Sequence, residues 1–152
     1  MPAIPTALEI DETLNAAGTT GLIGYRLRRA QLNVFQHFLR DFQELDLRPA
    51  EYSVLVLIGD NPGRKQTAIA EVLGIKRANF VKLARGLDER GLIERRHAAG
   101  DGRANALHLT AAGAAFLARA RALHQKMERG LVAQLGGPAA RDTLLGLLDR
   151  LR

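Results

Sequence analysis

Two short helical segments joined by a tight glycine turn constrain the fold of this chain more than any other feature. The first segment covers Gln66–Leu73, and the second runs from about Lys76 to Arg90. Apolar residues recur at helical spacing in both segments. Gly74 lies between them, where a tight turn requires a positive φ that glycine adopts without steric cost. Helix, glycine turn and helix together predict a helix-turn-helix arrangement.

The second of these segments has one apolar face and one polar face. Its apolar residues fall at positions i, i+3, i+4 and i+7, the spacing of one side of a helix: Phe80, Leu83, Ala84 and Leu87. We expect this face to pack inward. The opposite face is predicted to expose Lys76, Arg77, Asn79 and Lys82.

The periodicity changes from helical to extended after Gly91. Two short extended runs, Leu92–Arg96 and Ala106–Leu109, flank the glycine-containing segment Ala98–Arg103. Glycines between two extended runs mark a turn, so the sequence predicts a β-hairpin. A hairpin that follows a helix-turn-helix in this way is a wing.

The region before the helix-turn-helix is predicted to be helical as well. Residues 1–18 read as an arm, and one long amphipathic helix is expected from about Thr20 to Leu45. Pro49 opens the next helix, because proline is tolerated in a first turn. That helix ends at the breaker Asn61-Pro62-Gly63, and its predicted buried face is Tyr52, Leu55, Val56 and Gly59.

The region after the hairpin carries two more predicted helices. Thr110 is the expected N-cap of an alanine-rich helix that ends near Gln134, and a final helix covers Ala139–Arg152. This final helix has more leucines than one short element can bury within its own chain, which predicts a surface for a partner. Its leucines are Leu144, Leu145, Leu147, Leu148 and Leu151. The fold class is therefore mainly α with a small β-hairpin.

Positive charge is concentrated in the central segment. The whole chain has a net charge of +6, and residues 64–103 contain ten of its basic residues against five acidic ones. A local cationic excess favours a polyanionic partner, because each neutralised phosphate releases condensed counterions. A solvated basic face with no partner is the alternative at this point.

Several classes of protein are disfavoured by the sequence. The chain has no cysteine, which excludes disulfides and thiolate chemistry, and His37, His97, His108 and His124 lack metal-ligand spacing. No signal peptide or membrane-spanning run is recognised, so we expect a cytoplasmic protein without membrane contact. No phosphate loop or nucleophile elbow is present. We expect neither an enzyme nor a bound cofactor or metal.

Two blocks of this sequence resemble the MarR (multiple antibiotic resistance regulator) family. The first is the segment 66–96, which looks like the DNA-binding lobe of that family. The second is Asp101-Gly-Arg103 followed by Leu107-His-Leu-Thr110 and Gly113, which is similar to the family's D-x-R and L-x-L-T-x-x-G patterns. The resemblance covers roughly residues 20–152. Lys76 departs from it, because the family usually has Ser, Thr or Asp at that helix cap.

The resemblance implies a homodimeric DNA-binding transcriptional regulator with a winged helix-turn-helix. Residues 19–152 would form one domain, in which residues 48–110 are the winged helix-turn-helix lobe. Residues 19–47 and 111–152 would form the dimerisation lobe. We expect a repressor that binds a pseudo-palindromic operator in double-stranded DNA.

Each candidate DNA-binding residue has an expected role. Arg77 and Asn79 are expected to read base edges in the major groove, because Arg pairs with guanine and Asn with adenine. Arg103 on the wing is expected to enter the minor groove, supported by Asp101. The remaining candidates are expected to contact the phosphate backbone or to flank the wing: Arg64, Lys65, Gln66, Thr67, Lys76, Lys82, Arg95 and Arg96.

A small effector is a further expectation. Five of the seven aromatic residues lie in the first two predicted helices, near where the resemblance places an effector pocket. Nearby basic side chains are suited to an anion such as an aromatic carboxylate or an acyl thioester. The candidates are Tyr25, Arg26, Phe35, His37, Phe38, Arg40 and Tyr52. Plain core packing is the alternative for each aromatic residue.

Two other functions are compatible with these features. A nonspecific, nucleoid-type DNA binder would also carry a basic helix-turn-helix. A protein-interaction module would use the leucine-rich C-terminal helix, and its basic face would have no function in DNA binding.

Overall fold

The computed structural model describes residues 15–98 and 101–151, with the backbone alone for residues 98 and 101–105. The fold is mainly α with a small antiparallel sheet, which confirms the predicted fold class. The chain divides into two compact units, with the boundary between Gln36 and His37.

The unit that ends at Gln36 contains α1 (Ala17–Thr20) and most of α2 (Ile23–Asp41). The predicted arm therefore ends in a helical turn, and its residues 1–14 lie outside the described residues. The prediction of one helix from Thr20 to Leu45 was wrong at both ends. Gly21 caps α1, consistent with the low helix propensity of glycine, and α2 begins two residues later.

The second unit opens with the end of α2 and a 3₁₀ turn, Gln43–Leu45. The tighter turn allows Phe42, Leu45 and Leu47 to be buried together, at 1%, 4% and 3% exposure. Burial of three large side chains here overrides the helical periodicity that continued to Leu45.

Helix α3 covers Pro49–Asp60 and begins as predicted, with proline in its first turn. The Glu51 carboxylate accepts the backbone N–H of Arg48 at 2.8 Å, which completes the N-terminus of the helix. The predicted buried face was partly wrong. Val54, Leu55 and Ile58 are fully buried, whereas Tyr52, Val56 and Gly59 are half-buried.

The helix-turn-helix consists of α4 (Gln66–Val72) and α5 (Arg77–Glu89). Gly74 between them has φ +62°, as the predicted tight turn requires. Both helices end within two residues of their predicted limits, because strong apolar periodicity and glycine turns define them.

The predicted hairpin is present and gains a third strand. Strands β2 (Ile93–Ala98) and β3 (Asp101–Leu109) pair antiparallel, and β1 (Arg64–Lys65) pairs with the other edge of β3. The strand order is β1-β3-β2. Strand β1 was not predicted, because two residues are too short to show an alternating pattern.

The C-terminal part consists of α6 (Ala111–Leu135) and α7 (Pro138–Asp149). Thr110 caps α6 as predicted, since its hydroxyl accepts the Gly113 N–H at 2.9 Å. Leu117, Ala120 and Met127 of α6 join a core built from α3, α5 and the sheet. No residue of α7 is buried within the described part of the chain.

Candidate nucleic-acid interface

Helix α5 presents one face to the core and the other to solvent. Phe80, Ala84 and Leu87 are at most 1% exposed, and Leu83 is half-buried. The predicted inward face is therefore confirmed. Its packing fixes which side chains of α5 remain outside.

The four polar residues predicted on α5 are all exposed: Lys76, Arg77, Asn79 and Lys82. Within residues 15–98 and 101–151, none of these side chains has a hydrogen-bond or ion-pair partner. Lys76 is the N-cap residue and makes no side-chain cap, so its ammonium also stays in solvent. The surface of α5 therefore offers three cations and one amide to a ligand.

These side chains do not all point in one direction. A helix turns about 100° per residue, so Arg77 and Asn79 lie about 200° apart around the axis of α5. The outermost line of the helix is formed instead by Ala78, Lys82 and Arg85. Arg85 donates to Glu89 at 2.8 Å, one turn further along. The helical period alone was sufficient to identify Ala78 and Arg85, which the sequence prediction left out.

Arg77 borders a shallow groove between α4 and α5. Gln66 and Thr67 from the first turn of α4 line the same groove, together with Glu71 and the apolar residues Ala70, Ile75, Phe80 and Val81. The structure thus brings three of the predicted DNA-binding residues to one place: Gln66, Thr67 and Arg77.

Strand β1 connects the start of α4 to the wing. In the register of the sheet, Arg64 and Arg95 lie on opposite sides of Leu107, and Lys65 and Arg96 lie on opposite sides of Ala106. Directly opposed residues share a face of a sheet, and alternate strands are about 10 Å apart. The four residues, all predicted to bind DNA, therefore form two pairs of neighbouring cations. Arg64 and Arg95 share one face of the sheet, and Lys65 and Arg96 share the other.

Arg96 has a partner of its own. Its guanidinium pairs with Glu94, two residues earlier on the same face of β2. Both side chains are more than 40% exposed, so the pair adds little stability. Arg95 lies on the other face, is exposed, and has no such partner within the described residues.

The two wing residues singled out in the sequence, Asp101 and Arg103, both lie in β3. Their side chains lie outside the described residues. Their backbone belongs to the hairpin, which places both residues on the predicted wing.

The C-terminal end of α5 is held by a tight joint. Gly91, at φ +69°, ends the helix, and the Leu92 N–H donates to the Leu87 carbonyl at 3.0 Å. The Thr110 hydroxyl donates to the Gly91 carbonyl at 2.6 Å. A Cβ on Gly113 would lie 1.8 Å from the Leu92 oxygen, so any other residue there requires the backbone to shift. These contacts explain the Thr110 and Gly113 positions of the sequence pattern.

Three of the candidate effector residues lie in the N-terminal unit. Tyr25 is half-buried, Phe35 is 42% exposed, and the Arg26 guanidinium donates to the Thr20 carbonyl at 2.6 Å. This unit also exposes four aliphatic residues at 39% or more: Leu22, Ile23, Leu27 and Leu32.

The other candidates lie in the second unit, where the aromatic ones pack together. Phe38 stacks on Phe42 at 3.9 Å between ring centroids, and Tyr52 stacks on His124 at 4.6 Å. Phe38 is 4% exposed and belongs to the core. Burial raises the pKa of the Tyr52 hydroxyl, an effect that Arg121 opposes and Asp60 reinforces. A hydrogen bond of 3.3 Å joins Arg40 to His37 at the surface.

Among the described residues, no group of three or more His, Cys, Asp or Glu side chains is arranged to hold a metal ion. In the same part of the chain, no helix has the length and apolar character needed to cross a membrane.

Helix α5 is exposed and basic, α4 precedes it and borders the same groove, and the β2–β3 hairpin follows. This arrangement defines a winged helix-turn-helix DNA-binding protein. Comparison with known proteins gives the family. The MarR family description matches residues 45–104. A transcriptional regulatory protein assigned to the hcr operon of Thauera aromatica is 36% identical over 132 residues, which are 86% of this chain and 79% of that protein. The chain belongs to the MarR family of transcriptional regulators, which are not enzymes.

Two solved structures are also close to this fold. The transcriptional repressor CouR, bound to a 23-mer DNA duplex, is 43% identical with a TM-score of 0.85, over 91% of this chain and 97% of the CouR chain. CouR bound to p-coumaroyl-CoA is 42% identical with a TM-score of 0.83, over 91% and 96% of the two chains.

Proposed function

We propose that this chain is a repressor that binds a pseudo-palindromic operator as a homodimer and is released by a small effector. The observation that carries the proposal is the exposed face of α5, where Lys76, Arg77, Asn79 and Lys82 lack partners in the described part of the chain. An α-helix fits the major groove of B-DNA, and cations without partners are suited to its phosphates.

Arg77 and Asn79 are proposed to read bases. Their separation around α5 directs them to opposite sides of the DNA major groove, so they contact different base pairs. Ala78 lies between them and is small enough to contact a thymine methyl group. Each bidentate contact contributes about 1–3 kcal/mol of discrimination between bases.

The remaining candidates are proposed to position the protein on the DNA backbone. Gln66 and Thr67 border the groove between α4 and α5, as Arg77 does. Lys76 and Lys82 are exposed along α5. The pairs Arg64–Arg95 and Lys65–Arg96, one on each face of the sheet, are proposed to carry positive charge from the start of α4 to the base of the wing. Arg103 is proposed to enter the minor groove from the wing, with Asp101 in support.

A second copy of the chain is proposed to cover the exposed apolar residues. Leu144, Leu147 and Leu148 form a stripe on α7, at 36–51% exposure. The N-terminal unit, described by itself, also exposes aliphatic side chains. We therefore assign residues 19–47 and 111–152 to dimerisation and residues 48–110 to DNA binding. Twofold symmetry would place the two α5 helices about 34 Å apart, in successive major grooves.

The DNA-binding proposal is tested by fluorescence anisotropy with the promoter of its own gene and with random DNA. Arg77→Ala is expected to weaken promoter binding by more than 1 kcal/mol and to leave random-sequence binding nearly unchanged. Lys126→Ala, an exposed cation on α6, is the control for charge. Equal affinity of the wild type for both DNAs would favour the nonspecific binder, and absence of DNA binding would favour the interaction module.

The effector is proposed to be an aromatic acyl thioester. The support is the similarity to CouR, which has been solved with p-coumaroyl-CoA. A ligand releases DNA only when it binds the DNA-free arrangement more tightly than the DNA-bound one. Titration of the protein–promoter complex with p-coumaroyl-CoA, p-coumarate and coenzyme A separates the parts of the ligand. Release by the thioester alone is expected, and no response to any of the three would refute the assignment.

A further inference from the structure

We infer that Arg90 is a positioning residue for DNA recognition, because it fixes the C-terminal end of α5 to the corner between α2 and α3. The inference rests on the proposed insertion of α5 into the major groove. It assigns a role to a basic residue that is exposed and lies at the far end of α5 from the base-reading residues.

The Arg90 guanidinium makes three contacts with two distant elements. Nη1 donates to the Asp46 carbonyl and Nη2 to the Leu45 carbonyl, each at 2.9 Å. Its Cζ also lies 5.3 Å from the ring centroid of Phe116 on α6. One side chain therefore ties α5 to the α2–α3 corner and to α6.

The corner is shaped for a planar, two-pronged donor. Asp46 has φ +44° and ψ 53°. Among the described residues, it is the one non-glycine residue with a positive φ. This left-handed turn lets two consecutive carbonyl oxygens meet one guanidinium. Lysine keeps the charge of arginine but presents a compact ammonium, which does not reproduce the fork.

A small movement at Arg90 displaces the base-reading end of α5 by a larger distance, because the helix is long. Thirteen residues separate Arg77 from Arg90, which corresponds to about 20 Å along a helix. A tilt of about 5° at the Arg90 end moves the first turn of α5 by roughly 2 Å, more than the range of about 0.5 Å over which a hydrogen bond keeps good geometry. Loosening Arg90 therefore affects base contacts more than the less directional attraction to phosphates.

Arg90→Lys separates positioning from simple charge. If Arg90 positions α5, we expect Arg90→Lys and Arg90→Ala each to weaken promoter binding about tenfold, with affinity for random DNA and its salt dependence unchanged. If Arg90 is a phosphate contact, Arg90→Lys will match the wild type, and Arg90→Ala will weaken both DNAs and reduce the salt slope. That second pattern would overturn the inference.

Two controls accompany these variants. Arg119→Lys, at an exposed position of α6, makes the same exchange away from the corner and is expected to have no effect. Thermal unfolding of each variant sets a binding temperature at which all are folded, and Arg90→Lys alone suffices if Arg90→Ala does not fold. Loss of promoter preference in Arg77→Ala but not in Arg90→Lys refutes this inference alone. Absence of promoter preference in the wild type refutes the proposed function.

Discussion

Helices α5 and α7 are exposed for different reasons. Helix α5 buries Phe80, Ala84 and Leu87 in its own chain and exposes cations. Helix α7 buries no residue in the described part of the chain and exposes leucines. In the described part of the chain, α5 therefore leaves the cations Lys76, Arg77 and Lys82 without an ionic partner, whereas α7 leaves its leucines without an apolar one.

The difference means that the two proposed partners can be separated by experiment. Burial of a leucine side chain contributes about 1.5–3 kcal/mol and is not weakened by salt. Binding to phosphates weakens steeply as salt rises. Association through α7 should therefore persist at a salt concentration that removes DNA from α5.

The largest expected effect comes from a charge on the α7 stripe. Leu147→Asp should convert the proposed dimer to a monomer at micromolar concentration and weaken promoter binding at least about 100-fold, since two linked half-sites bind far more tightly than one. Analytical ultracentrifugation and anisotropy measure the two effects. Gly146→Asp places the same charge on the opposite face, where a new Cβ meets nothing within 4 Å. A dimeric Leu147→Asp protein would contradict the assignment of α7.

The next effect concerns the packing beneath α5. Gly113→Ala should reduce the free energy of unfolding by about 3 kcal/mol, because its Cβ would overlap the Leu92 carbonyl. Gly130→Ala, in the same helix but with open space around it, should increase stability by about 0.5–1 kcal/mol. Urea denaturation compares the two variants. Equal effects would show that the joint at the end of α5 is not tightly packed.

A smaller effect is expected from a phosphate contact on α5. Lys82→Ala should weaken binding to promoter and random DNA alike by a few fold. The slope of log affinity against log salt should fall by about two, because each dimer loses two cations. Anisotropy titrations at several salt concentrations provide the slopes. A loss confined to the promoter would instead make Lys82 a base-reading residue.

The smallest effect concerns a group away from both surfaces. Because the pKa of Tyr52 is raised, its stabilising contribution is full below the unfolded pKa of about 10 and is lost as the pH rises through the folded value. The stability of the wild type should therefore decline more than that of Tyr52→Phe between about pH 9 and pH 11. Thermal unfolding of both proteins across this range measures the difference. Parallel curves would exclude Tyr52 as a source of alkaline instability.

The sequence predicted elements whose signal is local. Helix α5 was placed to within one residue at each end, because its apolar period and Gly91 are visible in the sequence. The period of α2 continued into the 3₁₀ turn, so packing of Phe42 and Leu45, which no local pattern reveals, moved its end. Strand β1 was missed because its pairing partner lies about 40 residues further along the chain.

The site was predictable to a similar extent. Exposure of Lys76, Arg77, Asn79 and Lys82 followed from the helical pattern. The meeting of Arg77 with Gln66 and Thr67 required the angle between two helices. Arg90 gave no local signal at all, since its hydrogen-bond acceptors are backbone carbonyls more than 40 residues away. The DNA-binding roles of these residues stay predictions.

Strand β1 affects which changes in the length of the wing such a protein can tolerate. Since β3 is paired along both edges at its base, the base keeps its register when residues are added or removed at the hairpin tip. Tip length can then vary, in engineering or in evolution, without altering how α4 and α5 are presented. The fold thus has one segment whose length can vary, the hairpin tip, and one whose orientation is fixed, the pair of helices α4 and α5.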